Sequence, residues 1–258
     1  MELLNQTAHV AAMVPMVGAS GELNAVAILK ATYSISPQGL LPASVQQDIA
    51  YSDITTGPPD APKPVYDSDL VDRKPAIDLY VSRPSTDRLS ERDGETIRIA
   101  VGAQRIEGRF HDQWSLGPLP RNHTDRVAHA GTYDEAWQRT RMPLPPVDFD
   151  VRYHQSARTE QTFESLDAET RIAIQGLYGA ESVVSFALPD RAPVLAGAIA
   201  GVRSVRWLSL DTICISGVSP MVILTWRCAL VCPRSFEDVA PHSLAMILRN
   251  RDALALVS

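Results

Sequence analysis

The chain of 258 residues has 45% hydrophobic and 21% charged side chains, a composition typical of a globular protein with a buried core. Its net charge of −6 argues against a general binder of nucleic acid or of anionic membranes, because both need a basic surface. No basic side chain precedes Lys30, as a secretory signal would require. The apolar stretches are shorter than the ~20 residues of a membrane helix. The odd cysteine count of three favours reduced thiols and a cytoplasmic location.

Alternating apolar and polar residues predict strands along most of the chain. The longest is Leu23–Ile35, whose odd positions are all apolar, as expected for a strand with one buried face. A shorter strand is predicted at Ile77–Val81. The predicted hairpins pair Thr96–Val101 with Arg105–Phe110, Arg171–Leu177 with Ser182–Leu188, and Ser204–Ile215 with Met221–Cys232. Helical patterns are limited to Tyr133–Thr140 and Pro241–Arg249.

These elements predict a mainly β fold. We expect two packed, largely antiparallel sheets (β-sandwich-like) with long proline-rich loops and one or two short helices. The proline-rich loops are Thr55–Pro75 and Met142–Val147, and loops of this length are often functional. Residues 1–258 are expected to form a single domain or two β subdomains with a boundary near residues 115–130, where turn-forming residues cluster.

Common catalytic and metal-binding motifs are not visible. The sequence has no phosphate-binding glycine loop, no zinc-protease helix and no serine-hydrolase elbow. His123, Asp125 and His129 have no established metal-site spacing, which favours solvated loop side chains. Cys228 and Cys232 share one face of a predicted strand but are separated by ~13 Å, so core packing is expected. We therefore expect no metal, no cofactor and no catalytic residue.

Two groups of carboxylates admit an alternative interpretation. Asp148 and Asp150 flank Phe149, and a second group, which consists of Asp67, Asp69, Asp72 and Asp78, surrounds the Lys74-Pro75 pair. Two carboxylates can divide acid and base roles where their environments separate their pKa values. Aspartates in proline-rich turns more often accept hydrogen bonds from backbone amides. The structural role is therefore favoured.

Two lysines are expected to form ion pairs. Lys30 lies within the long strand and Lys74 lies among aspartates, and a buried lysine needs a carboxylate or several carbonyl partners. Pairing of either lysine with Asp53, Asp69 or Asp78 would attach the proline-rich loop to the sheet. In the last strand, Trp226 belongs to the apolar row, whereas Arg227 faces the opposite side and should be paired.

Four segments in order resemble one protein family. They are Asn24–Leu41, Tyr66–Val81, Gly131–Ala157 and Leu210–Leu230. Together they are similar to the bacterial domain-of-unknown-function family 2169, over most of the chain to about Cys232. The signature positions fall on Lys30, Thr32, Tyr33, Asp69, Lys74, Pro75, Asp78, Tyr133, Asp134, Trp137, Pro143, Asp148, Phe149, Asp150, Asp211, Thr212, Trp226 and Arg227. The chain departs from the family at Ser82–Ser85, where members often carry a Gly-x-Ala-x-Ala-Pro turn.

The resemblance implies a role in type VI secretion. Such proteins are regarded as cytoplasmic adaptors or chaperones that load a secreted effector onto the VgrG or PAAR spike. We therefore expect a non-enzymatic protein whose partners are an effector and a VgrG or PAAR component, with no nucleic acid or membrane partner. The alternatives are a hydrolase-like enzyme that uses the loop carboxylates and a structural accessory of the secretion apparatus.

Overall fold

The computed structural model of the chain describes residues 3–83, 94–109, 113–199, 202–232, 235–236 and 244–250. The strands are β1 (Leu4–Asn5), β2 (Val10–Val17), β3 (Leu23–Ser36), β4 (Gly39–Pro42), β5 (Ile54–Thr56), β6 (Lys63–Tyr66), β7 (Ile77–Ser82), β8 (Thr96–Val101), β9 (Gln104–Arg109), β10 (Thr162–Phe163), β11 (Arg171–Gln175), β12 (Val183–Ala187), β13 (Arg191–Ile199), β14 (Val202–Trp207), β15 (Ser209–Ser216), β16 (Met221–Cys232) and β17 (Leu244–Asn250). The helices are α1 (Gln113–Leu116), α2 (Thr124–Val127) and α3 (Glu135–Thr140), with 3₁₀ turns at Val151–His154 and Thr159–Gln161. The predicted mainly β fold is confirmed.

The described strands form four sheets rather than the two that the sequence predicts. A seven-stranded sheet has the order β10-β7-β15-β16-β3-β2, with β4 paired to β3. Two four-stranded sheets have the orders β12-β11-β8-β9 and β1-β17-β13-β14, and β5 pairs with β6. Most pairs are antiparallel, and the parallel exceptions are β7 with β15 and β1 with β17.

The long strand β3 is buried on both faces, so the expectation of one buried face is wrong. Every residue from position 24 to position 33 is buried. The odd-numbered residues, such as Leu29, pack in the main apolar core. The even-numbered residues, such as Val26 and Ile28, contact Ile49 in a second layer of mostly irregular chain. The alternation of apolar and polar residues in β3 does not reveal this layer, because the layer covers the sheet with polar as well as apolar groups.

The main core lies between the seven-stranded sheet and the two four-stranded sheets. Trp226 of β16, Phe186 of β12 and Met246 of β17 meet in it. Trp226 is 2% exposed, which confirms the predicted burial. Cys232 is buried in the same core, and Cys228 packs against this core. Neither cysteine forms a disulfide bond. The expected packing role of these cysteines is confirmed.

The three predicted hairpins form, but one strand differs. β8 pairs with β9, β11 with β12, and β15 with β16, all antiparallel. The predicted strand Ser204–Ile215 is interrupted at Leu208, and its two parts, β14 and β15, belong to different sheets. Leu208 is buried and donates its backbone N–H to the carbonyl of Pro193. A continuous alternating pattern does not reveal where a strand leaves one sheet for another.

Two further expectations are corrected. The C-terminal segment predicted as a helix at Pro241–Arg249 contains strand β17, which lies between β1 and β13; residues 241–243 lie outside the described residues. Leu244 and Met246 alternate into the core, and pairing with β13 overrides the weak helical preference. The predicted loop Thr55–Pro75 contains β6.

The other helix and loop behave as expected. The predicted helix Tyr133–Thr140 forms as α3, whereas residues 142–147 contain only turns and irregular chain. Phe110, predicted to end a strand, lies outside the described residues. No helix in the described part of the chain has the length and hydropathy needed to cross a bilayer. The choice between one domain and two stays a prediction.

Replacing Trp226 with alanine should lower the free energy of unfolding by about 3–5 kcal/mol, because truncating a large buried aromatic side chain leaves a cavity. Chemical denaturation measures this loss. Val147 is 87% exposed, so Val147→Ala is the control and should stay within about ±0.5 kcal/mol. A loss below about 1 kcal/mol for Trp226→Ala would contradict the packing described above.

Candidate functional site

A row of polar side chains crosses the seven-stranded sheet on the face opposite the main core. The strand registers align Asp78 of β7 with Thr212 of β15, Thr212 with Thr225 of β16, and Thr225 with Lys30 of β3. Aligned residues on adjacent strands lie side by side on one face. All four are buried. We call Asp78, Thr212, Thr225 and Lys30 the polar row.

Lys30 forms an ion pair with Asp69, one of the pairings that the sequence predicted. The Lys30 Nζ atom lies 2.8 Å from Asp69 Oδ2, and both side chains are buried. Asp69 also accepts hydrogen bonds from the Tyr66 hydroxyl at 3.0 Å and from the Ala50 backbone N–H at 2.7 Å. The Lys30 ammonium group lies 4.0 Å from the centre of the Tyr66 ring, a cation–π distance. The pair therefore attaches two loop segments to the centre of the sheet.

At the other end of the polar row, Lys74 pairs with Asp78, as the sequence also predicted. The Lys74 Nζ atom lies 2.7 Å from Asp78 Oδ2 and 3.2 Å from the Thr212 hydroxyl oxygen. Asp78 accepts hydrogen bonds from the Ser156 N–H and hydroxyl, each at 2.9 Å, and from the Gln155 side-chain amide at 2.6 Å. Asp78 therefore holds residues 155–157 against strand β7. Pro75, between Lys74 and this strand, is exposed.

Arg227 is paired, as predicted, and a β-bulge positions its partner. The β15–β16 register shifts between Leu210 and Thr212, which adds one residue, Asp211, to the strand. Arg227 donates to the Asp211 carboxylate and, at 3.0 Å, to the backbone carbonyl of Asp69. Burial raises the pKa of Asp211, and the charge of Arg227 opposes this effect. The bulge thus places a carboxylate beside a buried guanidinium.

Two arginines that sequence reasoning did not single out complete the ionic network. Asp53 pairs with Arg121 at 2.8 Å rather than with a lysine, which corrects one alternative. Burial opposes the ionisation of Asp53, but hydrogen bonds from Arg121 and Ser68 outweigh it and lower its pKa to about 2. Arg126 is 1% exposed and lies 3.3 Å from Asp67, whose pKa burial raises. No local sequence signal marks either arginine, because their partners are remote in the chain.

His154 lies among these cations. Burial and the charges of Lys74, Arg121, Arg126 and Arg227 lower its pKa to about 3, so its imidazole is neutral at pH 7. The His154 Nε2 atom is 3.8 Å from a carboxylate oxygen of Asp72. Its Nδ1 atom has no hydrogen-bond partner among the described residues. This histidine was also not identified from the sequence.

The remaining aspartates of the family-like motifs organise loops. Asp134 caps α3 and accepts a hydrogen bond from the Trp137 N–H at 2.8 Å. Asp148 accepts from the N–H and hydroxyl of Thr132 at 3.0 and 2.7 Å, which lowers its pKa. Asp150 accepts from Arg152, and these hydrogen bonds lower its pKa to about 2. Asp148 and Asp150 thus bind different loop groups, as the structural interpretation predicted.

Aromatic residues of the same motifs pack locally. Tyr133 and Trp137 meet edge to face at 4.7 Å between ring centres, and the Trp137 indole N–H donates to the Leu144 carbonyl. Phe149 contacts Tyr153 at 5.8 Å in the same geometry. The peptide bond before Pro143 is cis. These contacts order residues 133–154 beside the ionic network.

The histidine-containing segment gives no metal centre. His123 caps α2 by accepting the backbone N–H of Asp125 at 3.2 Å. The Nδ1 atom of His129 is 3.9 Å from Asp150. In the ranges that the structure describes, no cluster of three or more His, Cys, Asp or Glu side chains could hold a metal ion.

A cleft of about 540 Å³ lies beyond the polar row on the same face of the sheet. Its floor is formed by the same four strands as the polar row, where Thr32 of β3 pairs with Ile223 of β16 and Ser82 of β7 pairs with Ser216 of β15. The lining residues share the absence of a formal charge at neutral pH: Thr32, Ser34, Ala43, Ser44, Val45, Gln47, Ile54, Val65, Tyr66, Ser82, Ser216, Val218, Met221 and Ile223. Because the cleft combines six separate chain segments, the sequence did not reveal it.

One wall of the cleft is attached to β3 through Thr32. The side-chain amide of Gln46 donates to the Thr32 carbonyl and accepts from the Thr32 N–H, each at 2.9 Å. The Gln47 N–H donates to the Thr32 hydroxyl. The hydroxyl of the neighbouring Tyr33 lies 3.2 Å from His9 Nε2. Burial raises the pKa of Tyr33 to about 12. The wall therefore has a defined position, although Val45 in it is 78% exposed.

The fold and site define a mainly β protein in which a buried ionic network holds loops against a sheet, next to an uncharged cleft. Residues 102–227 match the family model described as "Uncharacterized protein conserved in bacteria (DUF2169)", which supports the DUF2169 family. The match includes the motif positions from Tyr133 to Arg227, whereas those from Lys30 to Asp78 precede it. Searches of curated proteins and of solved structures found no match.

Replacing Lys30 with methionine should lower the free energy of unfolding by about 3–5 kcal/mol, because Asp69 would stay buried without its cation. The double variant Lys30→Met, Asp69→Asn should recover part of this loss, since it also removes the uncompensated charge. Urea denaturation measures both. The surface pair Arg98–Glu107, in which both side chains are more than half exposed, supplies the control. Arg98→Met should change stability by less than about 1 kcal/mol, and an equal loss at both sites would contradict the assignment.

His154 should make stability depend on pH. Because its folded pKa of about 3 lies below the usual 6.5, the unfolded chain binds the proton more readily. The contribution of His154 to the free energy of unfolding is complete above pH 6.5. As the pH falls below this value, the contribution decreases by at most about 1.4 kcal/mol per pH unit. Denaturation curves between pH 6.5 and 4.5 should show a smaller decline for His154→Gln than for the wild type. Parallel declines would contradict a buried neutral imidazole.

Proposed function

We propose that the protein is a non-enzymatic adaptor or chaperone of a bacterial type VI secretion system. It binds a secreted effector in the cytoplasm and helps to load it onto the VgrG or PAAR spike. The secretion context is supported by the four family-like segments and by the family match of residues 102–227. The binding role is carried by one observation, the uncharged cleft beside the ionic network.

The chemistry of the cleft favours an apolar, uncharged segment of the effector. Val45, Ile54 and Val218 are 78%, 41% and 52% exposed, so an occupant would remove apolar surface from water. A charged side chain would lose its hydration there without meeting an opposite charge. This preference contrasts with the acidic character of the whole chain.

The walls of the cleft are held in place before any partner binds. Tyr66, which lines the cleft, is bonded through its hydroxyl to Asp69, and Asp69 is paired with Lys30. The opposite wall is attached by Gln46 to Thr32. A preformed site loses less conformational entropy on binding, which favours affinity for a short segment.

The carboxylates have structural partners, which favours the adaptor over the hydrolase alternative. Asp69 and Asp78 accept hydrogen bonds from backbone N–H groups and are paired with lysines. Asp148 accepts its hydrogen bonds from Thr132. The arrangement uses these groups to order loops rather than to direct them toward a common reacting atom.

Val45→Glu should weaken effector binding by about tenfold or more, because it introduces a charge into the uncharged cleft. The full-length protein is co-expressed with the effector encoded beside it, and the complex is measured by size-exclusion chromatography and isothermal titration. Val147→Glu is the matched control, since Val147 is 87% exposed and does not line the cleft. Equal binding by both variants would remove the cleft from the interface.

Deletion of the gene tests the role itself. Effector stability and delivery in a secretion assay should fall in the deletion strain and should be restored by the wild type and by the Val147→Glu variant. Normal effector stability and delivery without the protein would contradict the adaptor role. Turnover that a folded Asp148→Asn variant abolishes would support the hydrolase-like alternative instead.

A further inference from the structure

The four-stranded sheet β1-β17-β13-β14 has a charge opposite to that of the chain. Its charged side chains are all arginines, and its strands contain no lysine, aspartate or glutamate: Arg191, Arg203, Arg206 and Arg249. The complete chain has a net charge of −6, so these cations are concentrated on one sheet of an acidic protein. We call this sheet the arginine sheet.

The four arginines are exposed, and the charge of Arg206 acts on the thiol of Cys228. None of them forms an ion pair or a hydrogen bond with a described residue, whereas Arg121, Arg126 and Arg227 all have such partners. An exposed guanidinium that has no ion-pair partner among the described residues can bind a carboxylate through two parallel hydrogen bonds. The arginine sheet therefore offers cationic groups to a partner.

Strand β14 is an edge strand of this sheet and contains two of the arginines, Arg203 and Arg206. Within the described residues it pairs with β13 on one side and with no strand on the other. A strand edge presents N–H and C=O groups that can pair with an added strand. The register places Arg203 opposite Ala198 and Arg206 opposite Leu195. Because positions 203 and 206 have opposite parity, one arginine lies on each face of the sheet.

A shallow depression of about 550 Å³ adjoins this edge. It is lined by Ala196, Gly197, Ala198, Arg203, Ser204 and Val205. The depression lies over β13 and β14, so the face of the edge strand that carries Arg203 is open.

We propose that β14 is a docking edge for an extended, acidic segment of a protein partner. The segment adds to the sheet as a further strand, with one carboxylate beside Arg203 and another beside Arg206 on the opposite face. Backbone hydrogen bonds hold the strand, and the two charges select an acidic sequence. This surface is distinct from the uncharged cleft, and the inference holds whether or not the cleft binds an effector.

The test uses the full-length protein and a fluorescein-labelled valine-rich peptide with two glutamates three residues apart, which places the two carboxylates on opposite faces of an added strand. Fluorescence anisotropy should show salt-sensitive binding that Arg203→Glu, Arg206→Glu weakens by about tenfold or more, because carboxylates would then face carboxylates. The control Arg105→Glu, Arg171→Glu makes the same change of charge at exposed positions of β9 and β11. It should bind within about twofold of the wild type, and equal losses in both variants would indicate a general charge effect and overturn the proposal.

Two further measurements separate strand addition from simple charge attraction. A peptide of the same sequence with alternate backbone nitrogens methylated keeps its charge but cannot complete the hydrogen-bond ladder, so it should bind about tenfold more weakly. Amide hydrogen exchange in β14 should slow when the unmodified peptide is bound. Equal affinity of the methylated peptide, unchanged exchange, or tighter binding of a single-stranded oligonucleotide lost in the Arg203→Glu, Arg206→Glu variant would each overturn the proposal.

Discussion

The buried ion pair between Lys30 and Asp69 is the interaction on which the second layer of the protein depends. A lysine at the centre of a sheet is strongly unfavourable unless a carboxylate compensates its charge. That carboxylate belongs to a loop, so satisfying Lys30 requires the loop to lie on the sheet. Asp69 in turn receives the Ala50 N–H and the Tyr66 hydroxyl, which brings two more segments to the same face. One unfavourable charge thus determines where much of the irregular chain lies.

The other members of the network extend the same constraint across the sheet. Lys74 and Asp78 hold residues 155–157, and Arg126 reaches Asp67 from the short helix α2. Each pair joins segments that are distant in sequence, and each is satisfied by additional hydrogen bonds. Buried polar networks of this kind favour one arrangement of the loops, because any other arrangement would leave charges unpaired in a low dielectric. The ionic network therefore determines where the loops lie, and it also stabilises the fold.

Two surfaces of different chemistry result from this architecture. The uncharged cleft lies between the attached loops and the part of the sheet beyond the polar row. Tyr66 lines the cleft and donates a hydrogen bond from its hydroxyl to Asp69. The arginine sheet lies elsewhere in the molecule and carries Arg203 and Arg206 on its edge strand. The chain therefore presents one uncharged and one cationic surface.

The sequence by itself determined the β class, the long strand at Leu23–Ile35 and the three hairpins, because the alternation of side chains is a local property of a strand. It also indicated that Lys30 needs a carboxylate, since the cost of burying a lysine does not depend on the fold. Only the tertiary structure decided that Asp69 supplies it, that β3 is covered on both faces, and that the strand beginning near residue 204 changes sheets at Leu208. The partners of Arg126, the pairing of β17 and the walls of the cleft were decided in the same way. The reason is that each joins segments far apart in the chain, and the spacing of residues along a sequence does not show which remote groups meet.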